Sequence, residues 1–199
     1  MSELFIPNVI VNRSGTEQLI SPLSYELSNR RIYLCGEIED MCATNIISQM
    51  HVLEDMSSDP ITLFINSPGG SVSAGFAIID AMEESPCIVS TCCYGLAASM
   101  AAVILASGDS GERLIGKHAE VMIHQPIGGV KGQASEISRV CDHILNTREK
   151  LARHLSEHTG KGMKTLLKDM DRDYWLSAVE AKKYGLVDRI IGKEIEDDA

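Results

Sequence analysis

The chain has 199 residues, 44% hydrophobic and 23% charged, which suits a single globular domain large enough to bury its own core. Its formal charge of −10 argues against nucleic acid or an anionic membrane surface as the main partner. No apolar run is long enough for a membrane span, and residues 1–7 lack the basic-then-apolar pattern of a secretory signal, so a cytoplasmic protein is expected.

In chain order, a short apolar run predicts a buried strand over 32–35, helical spacing predicts a helix near 44–54, and a second strand is expected over 61–65. Directly after it stands Asn66-Ser67-Pro68-Gly69-Gly70-Ser71, opening a predicted helix over 72–84. Paired glycines allow positive φ and close approach to a ligand, and amides at a helix start favour negative charge. The P-loop lysine and the Gly-x-Gly-x-x-Gly pattern are both absent, so an oxyanion hole or a plain tight turn fits better than a phosphate site. A strand over 88–93 runs into Tyr94-Gly95-Leu96-Ala97-Ala98-Ser99-Met100-Ala101-Ala102, with a helix predicted over 97–106. Two readings of Ser99 stand. Its hydroxyl meets an incoming carbonyl at a helix N-terminus, or its small size lets a helix pack closely.

A strand over 121–124 ends in His124, just before Gln125-Pro126. Strand ends are where ligands bind in α/β sheets, although a lone strand-end histidine also serves structure. The helix over 133–158 carries Ile137, Val140, Cys141, Ile144, Leu145, Leu151 and Leu155 at helical spacing and spans about 39 Å. Part of it is expected to project and to need another subunit over its stripe; the alternative is a helix laid across the sheet. His154 and His158 lie four apart on it, but no Glu follows the first His as in zinc proteases, so a solvated helix face is expected. His118 reads as a loop residue. Asp169, Asp171 and Asp173 with Glu180 mimic a calcium loop, yet Tyr174 occupies the position that needs glycine. One of these aspartates, buried, is better used to orient a histidine; otherwise the segment is a charged turn capping the next helix. A helix over 178–184, a strand over 187–191 and a frayed acidic tail over 194–199 complete the chain. Alternating strands and helices predict an α/β fold with right-handed crossovers around parallel strands. The six cysteines (Cys35, Cys42, Cys87, Cys92, Cys93 and Cys141) form no Cys-x-x-Cys pair and read mainly as buried free thiols, with no zinc-ligand spacing.

Ser99, His124 and one aspartate supply a nucleophile, a base and an orienting acid in the order Ser, His, Asp. An α/β-hydrolase runs Ser, Asp, His and carries Gly-x-Ser-x-Gly, absent at Ser99. The chain resembles the ClpP family of self-compartmentalised serine proteases from about Arg31 to Ile191. The resemblance rests on Asn66-Ser67-Pro68-Gly69-Gly70, Gly95-Leu96-Ala97-Ala98-Ser99-Met100, Met122-Ile123-His124-Gln125-Pro126, Arg172-Asp173 with Leu176-Ser177-Ala178, and Tyr184-Gly185-Leu186-Val187-Asp188. It implies a ClpP/crotonase-like fold of repeated β-β-α units, with 31–193 as the protease domain and 1–30 as an axial-loop segment. The helix over 133–158 becomes a projecting handle that interlocks two stacked heptameric rings. It further implies Ser99 as nucleophile, His124 as base, Asp173 as orienting acid, and the amides of Gly70 and Met100 as oxyanion donors. Asp171 and Arg172 fall at ring-to-ring contacts, and Gly128, Gly129 and Gly132 in a strand-and-turn segment along the substrate groove. The implied partner is an AAA+ Clp-type unfoldase, which uses ATP and feeds in unfolded polypeptides. The protease itself needs no cofactor and no metal.

Two departures from the family pattern stand out. Ile20-Ser21-Pro22-Leu23-Ser24-Tyr25-Glu26-Leu27 is atypical of the axial-loop region. In the unfoldase-docking pocket Phe64 and Tyr94 fit, but Thr62 and Glu84 stand where aromatic side chains are usual. These changes suggest altered chaperone preference or a mixed ring. Two other classes compete with a protease: a structural subunit that assembles without cleaving, and a crotonase-like acyl-CoA enzyme, for which no coenzyme A pocket is visible.

Overall fold

The computed structural model describes residues 7–13 and 15–192, so residues 1–6 and the tail 194–199 lie outside the described residues. The described chain begins with a hairpin that the apolar pattern does not signal. Strands β1 (Val9–Arg13) and β2 (Thr16–Ile20) pair antiparallel as a two-stranded sheet of their own. Gly15, at φ 82, makes the turn, and its amide donates to Asn12 Oδ1 at 3.1 Å. Helix α1 (Pro22–Ser28) follows, capped by the Ser21 hydroxyl and started by proline; none of its residues is buried, so it too lacks an apolar stripe.

Then come β3 (Arg31–Cys35), α2 (Asp40–Met56), β4 (Ile61–Ser67), α3 (Val72–Glu84), β5 (Val89–Ala98), α4 (Met100–Ala106), β6 (Arg113–Gly116), β7 (Glu120–Ile123), α5 (Ala134–Thr159), α6 (Met163–Asp169), β8 (Tyr174–Ser177), α7 (Ala178–Tyr184) and β9 (Arg189–Ile191). The path β3-β4-β5-β6-β9 is parallel throughout, as alternation predicts. The long strand β5 serves two neighbours: Thr91 to Cys93 pair with β6, and Leu96 to Ala98 pair with β7. Ala97 and Ala98 are therefore strand, not the start of the predicted helix over 97–106, because β7 supplies their partners. Strand β8 adds antiparallel to β7 and lies at the sheet's edge.

Every residue of α4 is buried. This short apolar helix packs between β5, β7 and α5, as expected for a helix apolar on all sides. On α5 the buried residues are Leu151, Ala152 and Leu155. None before Leu151 is buried, and Ile137 and Leu145 stay exposed despite their place on the apolar stripe. The expected strand around Gly128, Gly129 and Gly132 does not form, since no neighbouring strand offers this segment a hydrogen-bonding edge.

All the cysteines are free, but not all are buried: Cys35 and Cys141 are exposed and Cys42 is half-buried. Cys35 alternates to the open face of β3, and Cys141 sits on the uncovered part of α5. Burial pushes the thiol of Cys92 up to about 11 and that of Cys93 up to about 12, so both stay protonated and inert at neutral pH.

Candidate active site

Ser99 stands between β5 and α4 at φ 56, one of two non-glycine positive-φ residues among those described. Such a conformation costs a side-chain-bearing residue about 1–3 kcal/mol and persists only where its surroundings enforce it. Here they do. The Ser99 amide donates to Met122 O at 2.8 Å, tying the turn to β7, and Ala102 N returns to Ser99 O at 3.0 Å. The hydroxyl makes no helix cap. It lies 2.8 Å from Nε2 of His124 instead.

His124 is the residue just beyond β7. The register Ile123↔Tyr174 places it across from Asp173, just ahead of β8. Its Nδ1 is 3.2 Å from Asp173 Oδ1. Two sheet pairings thus bring together three residues far apart in sequence. The imidazole is well shielded, at 14% exposure, but the Asp173 side chain is 60% exposed, not buried as expected. It sits in the turn leading into an edge strand, and among the described residues no strand pairs with β8 on its far side.

Across from Ser99, the glycine loop is held by Ile38. Ile38 N donates to Gly69 O and Ser71 N donates to Ile38 O, each at 2.8 Å. In this parallel bridge Ile38 bonds to the neighbours of Gly70, which leaves the Gly70 amide pointing away. Neither Gly70 N–H nor Met100 N–H donates to any group among the described residues. A Cβ on Gly69 would lie 2.6 Å from Ala98 O and 2.7 Å from the Ser99 Cβ, so the loop presses on the serine turn. Gly70, at φ 151, would drive a Cβ into the Ile38 backbone. The space left beside Ser99 and His124 is an apolar recess of about 20 Å³, walled by Val72, Met100, Val103 and Leu155.

The model of the Clp protease family matches residues 14–194 of the 199. The chain belongs to the Clp protease family. It is accordingly a ClpP-type peptidase, and its mixed α/β architecture with a mostly parallel sheet is the family's. Among the described residues, no helix is long and apolar enough to cross a membrane.

The other residues that the sequence singled out are spread over the fold. Asp171 is engaged within the chain: its carbonyl accepts from Gln125 Nε2 at 2.9 Å, and its carboxylate lies 3.7 Å from Arg148 on α5. Arg172 is exposed, with no partner among the described residues. Phe64 and Tyr94 stack at 5.5 Å, and Tyr33, which the sequence reading passed over, stacks on Phe64 at 5.2 Å. The signal for Tyr33 is its parallel register opposite Phe64, which requires knowing that β3 pairs with β4. Thr62 is half-buried on the same face of β4, and Glu84 is exposed at the end of α3. His118 lies in an exposed turn as expected. His154 and His158 do not lie on a solvated face. Both are partly buried, because α5 turns this side toward α3 and α4, and His154 meets Phe76 edge-on at 5.9 Å.

Proposed function

We propose that the chain is a serine endopeptidase that cleaves unfolded polypeptides. The observation that carries this reading is the continuous contact from Ser99 Oγ through His124 to Asp173, set on a strained turn. With Nδ1–H donated to Asp173, His124 Nε2 carries the lone pair that accepts the Ser99 proton as Oγ attacks the scissile carbonyl. The tetrahedral oxyanion is stabilised by the Gly70 and Met100 amides. The imidazolium then gives its proton to the leaving amine, and water repeats the cycle on the acyl-enzyme. The chain supplies every group this chemistry uses, so the reaction calls on no cofactor.

We extend the proposal to assembly and supply. The exposed stripe on α5 supports a handle that meets other copies in two stacked heptameric rings, with Asp171 and Arg172 at the ring-to-ring contact. The exposed carboxylate of Asp173, on the same turn, supports a triad that becomes fully organised on assembly. The stack of Phe64 and Tyr94 supports docking of an AAA+ Clp-type ATPase, which spends the ATP; Thr62 and Glu84 favour a changed choice of ATPase or a mixed ring. The setting is the cytoplasm, with neither nucleic acid nor membrane as partner.

The test is intact mass after exposure to a fluorophosphonate, with short-peptide hydrolysis in parallel, on the parent and Ser99→Ala. An adduct on the parent alone, with hydrolysis lost in the variant, is the expected outcome. No adduct on a well-assembled oligomer would overturn the nucleophile assignment for the homomer. Gly70→Ala tests the oxyanion assignment. Its Cβ has to displace the Ile38 backbone, so the loop shifts and a donor moves off target. Removing one such donor lowers kcat by about 10²–10³-fold. KM for a short peptide is expected to change little, and a kcat within twofold of the parent would remove Gly70 from the hole.

A further inference from the structure

Glu83 near the end of α3 and the pair His154 and His158 on α5 each offer one ligand atom, and these atoms lie within 4.8 Å of one another. Residues four apart on a helix share a face, which brings both imidazoles to α3. Their ring centroids are 4.4 Å apart. Two imidazoles and a carboxylate suit a borderline divalent cation such as zinc, with water in the remaining position. A cleft of about 410 Å³, lined by Glu83, His158, Glu157 and Asp109 among others, opens beside the cluster and gives an ion and its water a way in.

The surroundings are arranged for a neutral ligand pair. Ser107 Oγ donates to Val103 O at 2.8 Å, so it accepts from His154 Nε2, 2.7 Å away, and the lone pair of that ring sits on Nδ1. Both rings are partly buried, which favours their neutral form. The nearby cations are otherwise engaged. Lys150 Nζ sits 3.7 Å over the Phe76 ring, and Arg113 is paired with Asp188. Asp80 and Glu157 add negative charge around the pair.

We propose that Glu83, His154 and His158 form a zinc-class metal site that ties α3 to α5, separate from the Ser99 chemistry. The sequence argued against zinc because Glu does not follow His154. That pattern belongs to a catalytic zinc helix; a site that joins two helices needs only the i,i+4 histidines and a third ligand from elsewhere.

The test uses the full chain, stripped with a chelator, with Cys35→Ser and Cys141→Ser silencing the exposed thiols. Cobalt(II) is titrated and read by its visible ligand-field absorption, then displaced with zinc. One cobalt per chain is expected, without thiolate charge-transfer absorption. His158→Gln and the exposed Glu83→Gln should each weaken binding about tenfold or more. Zinc should raise the melting temperature of the parent but not of His158→Gln. Absence of cobalt binding, or binding that neither variant weakens, would overturn the proposal.

Discussion

Ser99→Gly is expected to lose about 10⁶-fold in kcat for peptide hydrolysis and yet to melt higher than Ser99→Ala. The two effects have separate causes. Either substitution deletes the Oγ that lies 2.8 Å from His124 Nε2, so both lose the nucleophile. The backbone at position 99, with φ 56 and ψ −124, is a conformation that glycine adopts freely and alanine does not. Glycine therefore releases strain of about 1–3 kcal/mol, partly offset by its greater freedom in the unfolded chain. A net difference of about 1 kcal/mol corresponds to about 2–4 °C in a chain of this size. Differential scanning calorimetry on the two variants, matched for oligomeric state, reads the gap. Equal melting points would show that the turn stores no strain. Hydrolysis at the parent's rate in either variant would remove Ser99 from the chemistry.

That strained turn also marks the limit of what the sequence could tell. The strings around Ser99, Gly69-Gly70 and His124 carry the resemblance, and the parallel path from β3 to β9 is written in apolar runs separated by helical spacing. The helix over 72–84 matches α3 residue for residue, because Ser71 caps it and its apolar positions are buried against α2 and α4. Partnering is what a one-dimensional pattern leaves out. Ala97 and Ala98 have good helix propensity, yet β7 holds them as strand. Strand β6 is only Arg113–Gly116, and its buried arginine hides it from a search for apolar runs. The hairpin of β1 and β2 buries too little to leave a period. His154 and His158 look solvated on a helical wheel that omits α3. In each case the missing information is which element lies across from the residue.

Arg113→Met carries the largest expected cost to stability. Arg113 is 8% exposed, a strand arginine inside the fold. Its Nε and Nη2 hold Asp188 at 2.9 and 2.6 Å, and its Nη1 donates to His158 O at 2.8 Å and Gly185 O at 3.0 Å. One side chain thus fastens β6, the end of α5, the cap of α7 and the approach to β9. Methionine fills much of the volume but takes the guanidinium away from Asp188, which keeps only the backbone amides of Gly111 and position 113, and it removes the donor from the Ala106, His158 and Gly185 carbonyls. Breaking a buried pair in this way costs about 3–5 kcal/mol, or about 6–20 °C in melting temperature. The pH dependence identifies the cause. The hydrogen bonds from Arg113 hold the Asp188 carboxyl below its ordinary range, against the opposing effect of burial. A carboxyl depressed in the folded state stabilises the fold above its unfolded pKa, near 3.9, and that contribution is lost as pH falls through the folded value. In the variant, the carboxyl has lost its cation and two of its hydrogen bonds and accepts a proton more readily, so acid relieves the variant while it weakens the parent. The gap between the two melting curves should therefore narrow from neutral pH to about pH 3.5. A gap that stays constant over that range would assign the loss to the carbonyl bonds and packing rather than to Asp188.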